Sequence, residues 1–251
     1  MRSNDVFIEA DDAGSLMSIS DMMSALLFVF IITLAAFIIK FQDATEKKDR
    51  VVDQLTTVES QRSAMLTEIK EELERRGIQV SIDPKHGVLR LKEDAIQFQS
   101  GRASLAPEQR GNVAIVGDVL LQVLPCYAHG NRSLTSCPEE ISARLDSILL
   151  EGHTDNVPIH NESYASNWEL SAQRAIETYR VFESDVPELL ALENARAEPL
   201  FSVSGYGEGR PVVAHAKPTS DSENRRIDLR FIMAPPEIVD PQRDVLQAGL
   251  R

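Results

Sequence analysis

"LLEGHTDNVPIHNESYASNWELSAQRA" (149–175) decides how this chain folds. It opens on the end of "DSILLEG" (146–152), a short apolar run that reads as a buried strand. Polar and turn-forming residues follow, and then "NWELSAQRAIETYRVFES" (167–184) repeats its apolar residues at helical spacing. Strand, loop and helix therefore come in sequence, with Asp155 just beyond the strand end and Arg174 seven residues into the helix. Taken by themselves, Asp155 reads as a turn residue and Arg174 as a partner in an ordinary surface ion pair.

Outward from this stretch, "IQVSI" and "GVLRLK" alternate like half-buried strands, with "DPKHG" as the turn between them. "PEQRGNVAIVGDVLLQVL" (107–124) has helical spacing, and "LFSVSGYG" and "RRIDLRFIM" supply two closing strands. Strands that alternate with helices and end in strands predict an α/β (α+β) domain over 78–234, its helices on one face of a mixed sheet. The segment 235–251, rich in proline and poor in apolar residues, reads as a flexible tail.

The N-terminal part is different. From Met17 to Ile39 the only charged residue is Asp21, and a helix of that length spans roughly 34 Å, enough to cross a bilayer core. This predicts a transmembrane helix over 17–39 behind a tail of residues 1–16. Those first residues set Arg2 against Asp5, Glu9, Asp11 and Asp12, unlike the basic start of a signal peptide. Two readings stay open: Ser18, Ser20 or Asp21 caps the helix at the interface, or Asp21 works as an intramembrane carboxylate. Residues 40–77 are polar and free of proline, with Val51, Leu55, Val58, Met65, Ile69 and Leu73 forming a narrow stripe and Gly77 placed to end the helix. That stripe suits either a two-helix seam or packing on the chain's own domain.

A net charge of −13 disfavours nucleic acid as a partner. Cys126 and Cys137 flank a loop-like segment, and they close a disulfide if it lies outside the cytoplasm or stay as two thiols if not. "HTD" invites a catalytic or zinc reading with His160 and His215, but nothing fixes the ligand spacing, and no Ser or Cys nucleophile has an assigned base. Neither an enzyme nor a cofactor or metal is expected.

Residues 149–175 resemble the peptidoglycan-binding domain of the OmpA/MotB family, and "NVPI" followed by "SNWELS" resembles its MotB branch. "IQFQSGRASLAPE" (96–108) resembles the family's first strand-to-helix segment. "SVSGYGEGRPVVAHAKPTSDSENRRIDLRF" (202–231) resembles its closing Gly-Tyr-Gly and Asn-Arg-Arg strands, and "SDMMSALLFVF" its membrane helix. The resemblance implies an OmpA-like fold and a ligand pair of Asp155 and Arg174, supported by Thr154, Asn156, Asn167 and Arg225. It implies that Asp21 carries the ion, a proton or sodium, of a rotary motor in which two B subunits sit inside five MotA-like A subunits. It also implies a single-pass inner-membrane protein with a cytoplasmic N-terminus, a periplasmic domain in which the Cys126–Cys137 bond can form, and residues 40–77 acting as plug or dimer seam. Lys40, Lys47, Lys48 and Arg50, following the membrane helix, argue for the opposite orientation. The acidic start and "SISD" depart from flagellar members, so non-flagellar members such as the Zorya anti-phage B subunit are a further match. A passive membrane-to-wall tether is the alternative function.

Overall fold

The computed structural model describes residues 9–91, 95–96, 98–99, 101–130 and 137–236, with side chains from Asp21 onward. The last fifteen residues of the expected tail lie outside these, as do residues 1–8. The chain divides into two units, Met1–Asp53 and Gln54–Arg251.

In the first unit every described element belongs to helix α1 (Glu9–Arg75). Its side chains from Asp21 to Arg50 are all exposed, and its most apolar window reaches a mean hydropathy of 2.8. It is the one helix among the described residues long and apolar enough to cross a membrane. Polar atoms in this stretch turn inward: the Thr33 hydroxyl donates to the Phe30 carbonyl at 2.9 Å, which keeps it satisfied in apolar surroundings. The capping role for Asp21 is corrected here. The helix begins at Glu9, so the backbone at residue 21 is already within the helix and has no unpaired amides for a cap to satisfy.

The second unit begins with the last turns of α1. Met65, Leu66, Ile69 and Leu73 are fully buried in its core, so this half of the stripe packs on the chain's own domain. Val52 and Leu55 are half exposed. Gly77, at φ +83°, ends the helix as the spacing predicts. The Ile78 amide donates to the Leu73 carbonyl at 2.9 Å and the Gly77 amide to Glu74 at 3.1 Å, the two bonds of a Schellman cap, with Leu73 and Ile78 both buried beneath it.

Strands β1 (Val80–Asp83), β2 (Val88–Leu91), β3 (Leu145–Gly152), β4 (Phe201–Gly205) and β5 (Ile227–Met233) form one sheet in the order β1-β2-β5-β3-β4. Among the described strands only β3 and β4 run parallel, because the helix between them carries the chain back across the sheet. Helices α2 (Pro107–Val123) and α3 (Asn167–Asp185) cover one face, as expected for the mixed sheet. Ile148, Leu150, Ile227, Leu229 and Phe231 fill the layer between sheet and helices. The short α4 (Pro187–Leu190) was not legible, since one proline-started turn lacks any helical period. Within 96–108 the described residues 96, 98 and 99 are not in a strand, although Ile96 and Phe98 are buried. Cys126 and Cys137 are joined by a disulfide with Cα atoms 5.4 Å apart.

Sheet and helix touch at Gly152, where an added Cβ would lie 1.9 Å from the Ser171 carbonyl oxygen. Gly152→Ala must push α3 away from β3. We expect a loss of about 3 kcal/mol in chemical denaturation, at the upper end of overpacking costs.

Candidate functional site

The end of β3 and the start of α3 share one wall of a cavity of about 130 Å³. Thr154, Asp155, Asn167, Arg174 and Arg225 line it, so five of the six residues expected to bind ligand converge. The sixth, Asn156, works from outside. Its side-chain amide donates to the carbonyls of His215 and Lys217 at 3.1 and 3.0 Å and accepts from the Thr219 amide at 2.7 Å, which pins the 215–219 loop beside the cavity.

Asp155 is nearly buried. Its Oδ2 accepts from Arg225 Nη1 at 2.9 Å and from the Asp221 amide at 3.3 Å, while Oδ1 accepts from the Val157 amide at 3.3 Å. These contacts hold the carboxylate in place and aim it at the cavity. Asn167 fixes the loop between strand and helix, its amide donating to the Val157 carbonyl at 3.1 Å.

Arg174 is 1% exposed, an extreme position for a guanidinium. Nε donates to the Arg102 carbonyl at 3.1 Å and Nη2 to the Gln99 carbonyl at 3.2 Å, while the Phe98 ring lies 5.1 Å from the guanidinium carbon. Among the described residues no carboxylate forms an ion pair with it, and Nη1 has no partner. Burial, and then the neighbouring Arg225 charge, lowers its pKa to about 10, so the group stays charged at neutral pH. Among the described residues the Thr154 hydroxyl is likewise buried without a partner. A buried cation with an idle donor beside an idle hydroxyl is prepared for an anionic group, whose contacts would offset the cost of burying them.

Gln99, Arg102 and Phe98, which hold Arg174, were not expected as site residues. Their signal was the family-like segment 96–108, but a backbone carbonyl leaves no trace in residue identity. The zinc grouping around "HTD" does not assemble. His215 Nε2 meets Asp221 Oδ2 at 2.5 Å, and His160 Nδ1 lies 3.3 Å from the Ala165 carbonyl.

His153 is 1% exposed, and burial first, then the charges of Arg226, Arg90, Arg210 and Arg230, pushes its pKa down to about 3. The folded state thus keeps the imidazole neutral while the unfolded chain takes up a proton below about pH 6.5. Stability is complete above that pH and falls as pH drops toward 3, by about 1.4 kcal/mol per unit from this group. In urea titrations, His153→Gln should flatten the decline between pH 6 and 4; an unchanged slope would assign it to carboxylates instead.

Residues 130–225 match the OmpA family. Motility protein B of Bacillus subtilis (strain 168) is 29% identical over 147 residues, which covers 58% of this chain and 45% of that protein. The same organism's uncharacterized protein YtxE is 25% identical over 191 residues, covering 75% of this chain and 67% of its own length. The chain thus spans about half to two thirds of the curated relatives it matches. Among solved structures, the periplasmic domain of Helicobacter pylori MotB (residues 78–256) aligns at 15% identity with a TM-score of 0.41, covering 64% of this chain and 84% of that one. Residues 130–225 are thus similar to the OmpA family, and part of the chain is similar to Motility protein B.

Proposed function

We propose that this protein is the B subunit of an ion-driven rotary membrane motor and that its OmpA-type domain anchors the motor to peptidoglycan. One observation carries the anchoring: Arg174 is buried, charged and, among the described residues, left with an unpaired Nη1 at a cavity that Asp155 also faces. A peptidoglycan stem peptide presents the matching groups on diaminopimelate, a free carboxylate for Arg174 and an ammonium for Asp155. Thr154 supplies a further hydrogen bond, and Arg225 holds Asp155 in place.

The motor reading is supported by the kinship with Motility protein B and by Asp21, which lies on α1 within the apolar stretch. An aspartate on that helix can bind a cation on one side of the membrane and release it on the other. Each elementary charge crossing the membrane yields about 2.3 kcal/mol per 100 mV, enough to bias a conformational step. The working assembly is two copies of this chain within five MotA-like subunits in the inner membrane. Its N-terminus is cytoplasmic and its C-terminal domain periplasmic, a compartment in which the Cys126–Cys137 disulfide persists. The acidic start and the "SISD" before the helix favour a motor that drives something other than a flagellum.

Co-sedimentation with purified peptidoglycan tests the anchor. Full-length protein in detergent should pellet with it and be released by an excess of free diaminopimelate. Pelleting unaffected by diaminopimelate would place the wall contact elsewhere on the chain.

A further inference from the structure

The face of the sheet that the helices leave bare carries a larger cavity, of about 580 Å³. Strand alternation brings charged residues to it: the register sets Arg90 opposite Asp228 and Asp228 opposite Glu151, with Arg230 one step further along β5. The carboxylates are already committed. Glu151 accepts from Arg230 at 2.6 and 2.9 Å, and Asp228 accepts from Arg226 at 3.1 and 3.0 Å and from Arg90 at 3.1 Å. Glu151, His153 and Asp228 offer ligand atoms within 4.8 Å of one another, but the guanidiniums on both acids repel a metal ion. Four arginines, counting Arg210, stand against Asp83, Glu151 and Asp228, which leaves one positive charge in excess in a chain of net charge −13.

Two groups here have hydrogen-bonding capacity to spare. His153 lines the floor and is 1% exposed; among the described residues neither ring nitrogen has a hydrogen-bond partner, its Nε2 lying 3.6 Å from Asp228 Oδ2 and 3.9 Å from Glu151 Oε2, both acids already held by arginines. Tyr206 stacks on its ring at 5.4 Å, and the Arg210 guanidinium lies over Tyr206 at 3.8 Å. Arg210 donates to no acceptor among the described residues; its nearest carboxylate oxygen, on Glu151, is 4.0 Å away. A planar carboxylate is filled by one guanidinium fork, whereas donors from Arg90 and Arg210 on separate elements, with an imidazole from the floor, suit a tetrahedral oxyanion.

We propose that this cavity binds a phosphoryl group, held at the rim by Arg210 and Arg90 and from the floor by His153. Free phosphate and a phosphate ester carry the same chemistry. The site is independent of the diaminopimelate cavity, and its test separates the two.

Full-length protein in nanodiscs is titrated calorimetrically with inorganic phosphate, glycerol 1-phosphate and acetate. Saturable phosphate binding is expected, weakened roughly 10-fold in Arg210→Ala, since one charge-assisted hydrogen bond is worth about that factor. Among the described residues the Arg210 side chain makes no hydrogen bond that holds the fold, so this variant should remain folded; His153→Gln provides a second variant that should also weaken binding. Glycerol 1-phosphate binding as tightly as phosphate would point to an ester as the natural source, and weaker binding to the free ion. The proposal is overturned by no saturable binding up to about 10 mM, well beyond the millimolar range of weak specific sites. Unchanged affinity in Arg210→Ala, acetate binding as tight as phosphate, or displacement of phosphate by diaminopimelate would overturn it equally.

Discussion

Arg174→Ala is expected to release the full-length chain from purified peptidoglycan, with affinity falling about 100-fold or more. Removing one partner of a buried, hydrogen-bonded charge pair at an interface costs about 2–5 kcal/mol, and each 1.4 kcal/mol is tenfold. Part of the loss comes through the backbone, since Arg174 also ties down the carbonyls of Gln99 and Arg102. Arg174→Lys separates the contributions. It keeps the charge but not the planar fork, so it should bind between wild type and alanine. Asp155→Asn should weaken binding by a comparable factor, because the amide cannot neutralise an ammonium and also loosens the contact to Arg225. Wild-type affinity in both Arg174→Ala and Asp155→Asn would remove this cavity from the wall contact.

Asp21→Asn is expected to abolish the ion-driven activity in cells while leaving the protein at its normal level in the membrane. Asparagine matches aspartate in shape and is tolerated in the helix, but it cannot alternate between neutral and charged forms. The effect should therefore be on function alone. A tether with an incidental aspartate would behave in the opposite way, with no functional change. Because α1 begins at Glu9, twelve residues upstream, loss of a helix cap cannot account for a defect in Asp21→Asn.

Much of this was legible from local pattern. Alternation in "IQVSI" and "GVLRLK", helical spacing in 107–124 and 167–184, and the glycine at 77 each report a neighbourhood of a few residues, and each element formed where its period indicated. The pairing of Asp155 with Arg225, 70 positions on, and the suspension of Arg174 from carbonyls more than 70 positions earlier depend on tertiary proximity. Residue types alone could mark the members of the site, but not which carboxylate would be paired and which guanidinium left idle. The stripe on α1 was ambiguous for a similar reason. Met65, Ile69 and Leu73 have the spacing of a seam, and only the presence of a core alongside them decides that they pack inward. The start of α1 was misplaced because apolarity ends near Met17 while helical backbone continues to Glu9.

The charged face of the sheet was hidden in another way. Arg90, Glu151, Asp228 and Arg230 are polar positions of alternating strands, a pattern that ordinarily marks a solvated face. Here Glu151 and Asp228 are buried within an ion-pair network, and that network sets the charge of the cavity.

The most direct test of the motor assignment is purification of the full-length protein from its native membrane, followed by the mass of the intact complex. The account predicts a multi-helix membrane partner at five copies to two of this chain. Recovery of this chain without such a partner, still bound to peptidoglycan, would contradict it and leave a wall tether.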